Sequence, residues 1–522
     1  MREADPGETA VRAAAPRRQP RPPAALVLLV CGIAVLMLVP VGFVVWVGFD
    51  AGWNTLAPLI FRPKVGELLT NTVLLVAIGV PACIVLGVGG AWVVERTELP
   101  GRRVWAVILA APLAVPAFVS SYGWVSAVPA IGGLGGGLLI AVLAYFPLVY
   151  LPALAAIRGL DPALEESARA LGLGPYATFA RVVLPQLRLA IWGGALIVAL
   201  HLLAEYGAFA LIRFDTFTTA IMTQYQSTFA GPAANALGVV LALICLVLLV
   251  SEATSRGRRQ YARIGSGAAR PAVRVALGWR TWPVLAILVA VVVLALVVPG
   301  GSLVHWLSFG NSWAQPDLAF AFLQTMGLSI GGAIVATIVA IPVAWLSVRH
   351  AGKVARFLEG GMYIASSLPT IIVALALVTV TLRLVPALYQ TPATVIAAYV
   401  IVFLPRALVS LRSGLAQVPI RLEEAARSLG SSGTRTKLRV TLPLMAPSLG
   451  AAASLVLLGC ANELTVTLLL APSGTRTLAT QFWSASSSVA YSAAAPYAVL
   501  LIALSIPSVA ILFVHARKKP TG

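Results

Sequence analysis

Apolar runs of about 20 residues, parted by short stretches rich in Arg, Gly and Pro, recur along the whole chain. A helix needs about 20 apolar residues to cross ~30 Å of hydrocarbon, so the pattern predicts about twelve spans. The breakers place them at 26–48, 68–94, 104–128, 132–157, 189–212 and 234–251, then at 282–299, 319–347, 357–383, 392–411, 447–470 and 495–515. The expected fold is an all-α polytopic membrane protein. The first run, Leu26 to Gly48, exceeds the 7–15 residues of a signal-peptide core, and no small-residue cleavage site ends it, so it reads as a span.

The pattern is written twice. At an offset of 253, Thr72 matches Thr325, Ala91-Trp92 matches Ala344-Trp345, Arg96 matches Arg349 and Pro116 matches Pro369. Further on the offset becomes 258, pairing Pro147 with Pro405 and Glu205 with Glu463. Six spans separate equivalent points, so the halves share one orientation: two parallel six-helix repeats about an axis along the membrane normal. The division is an N-tail (1–25), a first half (26–251), a linker (252–281), a second half (282–515) and a tail (516–522).

The copies agree best in a polar stretch. Between 165–185 and 423–443, eleven of 21 positions are identical, beginning with EESARALG and EEAARSLG. Asp161 can cap a helix whose first position is Pro162. Leu164, Ala168 and Leu171 then fall on one face, as do Leu422, Ala426 and Leu429. Glu165–Arg169 and Glu423–Arg427 are i, i+4 pairs of favourable polarity. Gly172 and Gly174 end the first helix and Gly430 and Gly433 the second, and Pro175 cannot continue it.

Composition agrees with a membrane chain: mean hydropathy is +0.93 and only 11% of residues are charged. The net charge of +19 does not indicate nucleic acid, because the basic residues fall in short clusters between apolar runs. Of 37 Lys and Arg, only Arg62, Lys64, Arg213, Arg383 and Arg476 lie in one set of alternating loops. The positive-inside rule puts the other set, and both termini, in the cytoplasm. The stretch 251–280 carries seven arginines and one acid and reads as a topogenic linker, suited to anionic lipid. Cys31, Cys83, Cys245 and Cys460 all lie in apolar spans without ligand spacing, so no metal site or disulfide framework is expected.

The repeated phrase resembles the EAA loop of importer-type ABC permeases, the inner-membrane components of binding-protein-dependent transport. Here it reads Glu166-Ser167-Ala168, Gly172 and Leu184-Pro185, then Glu424-Ala425-Ala426, Gly430 and Leu442-Pro443. Ser167 departs from the pattern by one small residue for another. The resemblance implies that loops 158–188 and 412–446 are coupling loops. Glu165, Glu166, Ala168, Gly172, Leu184 and Pro185, with Glu423, Glu424, Ala426, Gly430, Leu442 and Pro443, would then engage two copies of a cytoplasmic ATPase. An extracytoplasmic binding protein would deliver the cargo, and a bacterial inner membrane would be the location. AEYGAFALIRFDTFTTAI at 204–221 resembles the fused two-half permeases of ferric-iron and thiamine import. Ferric iron is the expected cargo ahead of thiamine, with polyamine, phosphonate or oxyanion import behind.

The chain itself carries no engine. None of its five lysines is followed by Ser or Thr, so a phosphate loop is excluded, and it has no HExxH or CxxC. ATP and Mg²⁺ would belong to the partner, and no cofactor is expected here. A major-facilitator transporter is the competing class, since GGAWVVERTELPGRR (89–103) is similar to its loop between spans 2 and 3. That class gives no reason for duplicated EAA loops. Glu205 and Glu463 read as acids deep within spans, either holding the fifth span of each half with help from Asn462 or Tyr206, or lining the translocation path.

Overall fold

The computed structural model describes residues 22–50, 52–226, 231–255 and 274–517. Most of the basic N-tail and linker, and the end of the C-tail, fall outside them. Among the described residues eight helices are long and apolar enough to cross a membrane: Ala24–Asp50, Pro63–Arg96, Gly133–Gly159, Gly231–Glu252, Gly278–Leu307, Leu318–Arg349, Pro392–Gln417 and Tyr491–Ile511. Four bent pairs complete a set of twelve: Arg102–Ala114 with Ala117–Ala127, Pro175–Gln186 with Arg188–Ala204, Lys353–Ser366 with Thr370–Leu384, and Gly433–Leu444 with Ala446–Ala461. They are numbered here as spans 1 to 12 in chain order.

The spans expected at 104–128 and 357–383 are sharply bent. Span 3 turns by 89° and span 9 by 98°, each just before a proline, Pro116 and Pro369. Proline pushes the preceding residue out of the helical region, and Val115 is accordingly extended, with φ −99° and ψ 111°. Spans 5 and 11 turn by 69° and 70° where loops 158–188 and 412–446 run into them.

The core of each half is a set of closely packed helices: spans 2, 4 and 5 in the first, spans 8, 10 and 11 in the second. Small residues allow this in lipid, where no hydrophobic force drives helices together. A Cβ on Gly87 of span 2 would sit 2.8 Å from Val149 Cβ of span 4.

The first span of each half crosses to the other. Val30, Ala34 and Met37 of span 1 join the core built from the second half, and Gly361 of span 9 faces Leu38. Leu288 and Ala295 of span 7 join the core of the first half. There Gly123 of span 3 lies directly against Pro299, and the Ser126 and Ser302 hydroxyls are 2.5 Å apart. The two halves are therefore clasped as well as joined.

Candidate functional site

The helix of each repeated loop is built from local signals. Pro162–Ala170 starts under Asp161, whose side chain accepts the Ala163 N–H at 3.0 Å. It ends at Gly172, at φ +87°, with Leu173 N donating to Ala168 O at 3.1 Å. Ile420–Ser428 ends the same way at Gly430, φ +84°, with Ser431 N on Ala426 O at 3.0 Å. Glycine suits both turns because a Cβ there would strain the left-handed backbone. Each loop then makes a short helical turn and a π-helical turn, Phe179–Val183 and Lys437–Thr441, before its span.

The expected Glu165–Arg169 and Glu423–Arg427 pairs are replaced by stronger ones. Glu165 and Glu423 are both buried, 5% exposed, and pair with arginines at the ends of spans 2 and 8. Arg96 Nη2 lies 2.8 Å from Glu165 Oε1 and also donates to Ile157 O at 3.0 Å. Arg349 Nη2 lies 2.8 Å from Glu423 Oε1 and donates to Val418 O at 2.9 Å. A charge at 5% exposure needs a partner, and here an arginine from another helix supplies it. The apolar face is also different from expectation. Ala168 is buried, but Leu164 and Leu171 are exposed, as are Leu422 and Leu429, Leu171 and Leu429 at 85% and 88%. Glu166, Gly172, Leu184 and Pro185 are exposed too, as are Glu424, Gly430 and Pro443, while Ala426 and Leu442 are half-buried. The structure thus seats one acid of each loop and leaves a wet, leucine-tipped surface.

The linker does more than set topology. Val275 pairs with Thr97, its N–H donating to Arg96 O at 2.8 Å, and Glu98 N donates to Val275 O at 3.1 Å. Arg280 then donates to the Tyr176 hydroxyl at 2.7 Å, its guanidinium 5.1 Å from the Tyr176 ring centre. The start of span 7 is strapped to loop 158–188.

Glu205 and Glu463 do not lie within continuous helices. Spans 5 and 11 stop at Ala204 and Ala461, and each acid stands in the break before a short helix, Gly207–Leu211 or Thr465–Leu470. Glu205 Oε1 accepts the Ala208 N–H at 2.9 Å, and Glu463 Oε1 accepts the Val466 N–H at 3.1 Å. Each carboxylate therefore satisfies an orphan N–H of the helix that follows. The helpers are not the expected ones: Asn462 donates to Ser505 at 2.9 Å, and Tyr206 packs on Trp483 with ring centres 5.0 Å apart. Instead the Tyr145 hydroxyl donates to Glu205 Oε2, and Thr370 sits beside Glu463. The two breaks meet: a Cβ on Gly207 would lie 2.9 Å from Leu464, and the two acids are within electrostatic reach of each other.

Sequence reasoning missed Arg406 and His201, which face this place. Arg406 lies within the span expected at 392–411, where a charge is as unusual as a carboxylate, and that was the available signal. Among the described residues no cluster of His, Cys, Asp and Glu could hold a metal ion. Cys83, Cys245 and Cys460 are buried and Cys31 half-buried, all as free thiols.

A duplicated six-span unit with one EAA loop in each copy defines an importer permease. The family model for the binding-protein-dependent transport system inner membrane component matches residues 84–256 and again 332–519, once in each half. The chain belongs to this family: it is a permease subunit of the inner membrane and not an enzyme. It is 33% identical to the Fe(3+)-transport system permease protein FbpB 2 of Haemophilus influenzae, over 95% of this chain and 99% of that protein. It is also 26% identical to the sulfate transport system permease protein CysW of Synechocystis, over 42% of this chain and 86% of that one. A probable molybdenum ABC transporter permease protein of Haloferax volcanii is 28% identical over 42% of this chain and 88% of its own. The sulfate and molybdenum relatives correspond to about half of this chain.

Proposed function

We propose that this permease moves ferric iron into the cytoplasm, delivered by an extracytoplasmic binding protein and driven by two ATPase copies docked on loops 158–188 and 412–446. The observation that carries the docking is the paired design of those loops: a buried acid seated by an arginine from the end of span 2 or span 8, under exposed leucines. Leu171 and Leu429, with Glu166 and Glu424, form the surface an ATPase cleft would hold. Leu184-Pro185 and Leu442-Pro443 mark the turn from each loop into its span. ATP and Mg²⁺ act in the partner. The charge bias of alternate loops puts both termini and both coupling loops on the cytoplasmic side.

Iron as cargo rests on the Haemophilus relative, matched across both halves. Glu205 and Glu463 stand where the halves meet, so they line the path and hold its two broken helices together. ATP-driven closure of the partner would draw the loops together, and only differential contacts in the two states can convert that into an opened path. The test is retention of the ATPase by the purified permease, followed by stimulation of ATP hydrolysis by the iron-loaded binding protein. Gly172→Pro and Glu166→Lys are expected to release the ATPase. Full retention by both would sink the coupling assignment, and stimulation by another cargo would sink iron.

A further inference from the structure

We propose that Arg406 is an anion-recognition point on the path, taking an oxyanion that forms the cargo or travels with it. The inference rests on the permease reading but not on iron.

Arg406 stands in the middle of Pro392–Gln417, far from either end of the span. Its side chain is exposed, yet it lies within electrostatic reach of His201 from the other half and of Glu463. It therefore opens onto the space between the halves and not onto lipid. The guanidinium makes no hydrogen bond or ion pair with a described residue. Its one close partner is the Phe403 ring, 4.8 Å from the guanidinium carbon to the ring centre. Gly459 leaves the room for this stack: a Cβ there would lie 2.7 Å from Phe403 and 3.0 Å from Arg406 Nη1.

The ring holds the guanidinium by its charge and leaves its N–H groups without a protein acceptor among the described residues. A positive fork in a low-dielectric space repels a bare multivalent cation and matches the two oxygens of a carboxylate, phosphate or sulfate. The nearby acids do not close it off. Glu205 has both oxygens bonded within its own half, to Tyr145 and Ala208 N. Glu463 is turned to the Val466 N–H and to Thr370. The donors that an intramembrane arginine needs to satisfy are left for something that comes and goes.

Two measurements test this. The first uses the unmodified permease in nanodiscs: phenylglyoxal modification of Arg406 is followed by mass spectrometry with sulfate, phosphate or molybdate present, against chloride at equal ionic strength. Protection by an oxyanion is expected; equal rates in chloride and all three oxyanions would overturn the proposal. The second uses the full complex in proteoliposomes with its binding protein, offered ⁵⁵Fe(III) with ³²P-phosphate, or ³⁵S-sulfate or ⁹⁹Mo-molybdate alone. Arg406→Gln is expected to lower uptake by about tenfold or more, the loss of a charge-assisted pair of bonds, and Arg406→Lys to retain part of it. Docking-stimulated ATP hydrolysis should persist. Normal uptake in Arg406→Gln, or its rescue by adding Glu463→Gln, would reduce Arg406 to a counter-ion. Entry of ⁵⁵Fe without labelled anion, unchanged by Arg406→Gln, would keep iron and overturn this inference. Oxyanion uptake without iron, lost in Arg406→Gln, would do the reverse.

Discussion

The two halves repeat one plan at the coupling loops and part company at the helix breaks. Outside the bilayer the arginine, the seated acid, the left-handed glycine and the π-helical turn are all present twice. Inside it, Tyr145 corresponds to Phe403, Leu148 to Arg406 and His201 to Gly459 at the shared offset of 258. The first half thus closes its carboxylate with a phenol, and the second carries a phenyl ring against which the Arg406 guanidinium rests. Symmetry is kept where two identical engines would grip, and dropped where a single cargo would pass. A path on a pseudo-two-fold axis has one occupant, so duplicate side chains there would crowd it.

The largest test of the shared part removes the seating arginines. Arg349→Met strands Glu423 in a buried position, which costs about 3–5 kcal/mol. Arg96→Met should cost less in ATPase retention, because the Arg280–Tyr176 contact still holds the first loop. Retention measured by pull-down at graded salt checks the order, and equal losses would show that the strap is idle. Next is the divergent part: Tyr145→Phe removes the donor to Glu205 and should lower stability by about 1.5–3 kcal/mol, the range for hydrogen bonds to charged groups. Phe403→Tyr, the converse change, should leave the melting temperature in detergent nearly unchanged, since Glu463 already has other donors. The smallest effect is expected from Arg280→Gln. It removes a cation–π contact worth about 0.5–1 kcal/mol at an exposed site, and should lower the cargo moved per ATP hydrolysed without releasing the ATPase. An unchanged ratio would confine the strap to stability.

The helices of the repeated loops were legible because their signals are local: Asp161 before Pro162, glycine after Leu171, and a second copy to compare. What seats them was not. Arg349 lies 74 residues from Glu423 along the chain, beyond any helical spacing rule, and it displaced the i, i+4 pair that such a rule favours. The spans were legible by length, but averaging over about 20 residues hides a two-residue interruption such as Glu205-Tyr206 inside an otherwise apolar run. Pro116 and Pro369 were visible as a matched pair, yet proline kinks many membrane helices, and nothing in the pattern sets a right angle. The free Arg406 was hidden by charge counting, which treats every arginine as a loop anchor.

The crossed first spans impose an order on synthesis. Span 1 is made early, but span 9, whose Gly361 faces Leu38, emerges about 300 residues later. At about 5–20 residues per second, span 1 waits on the order of 15–60 s in the bilayer with its partner face open. A ribosome stalled in the linker would leave six inserted helices with one surface unclaimed, a substrate for membrane quality control. Joining both halves in one polypeptide fixes how far that surface can wander before its match arrives.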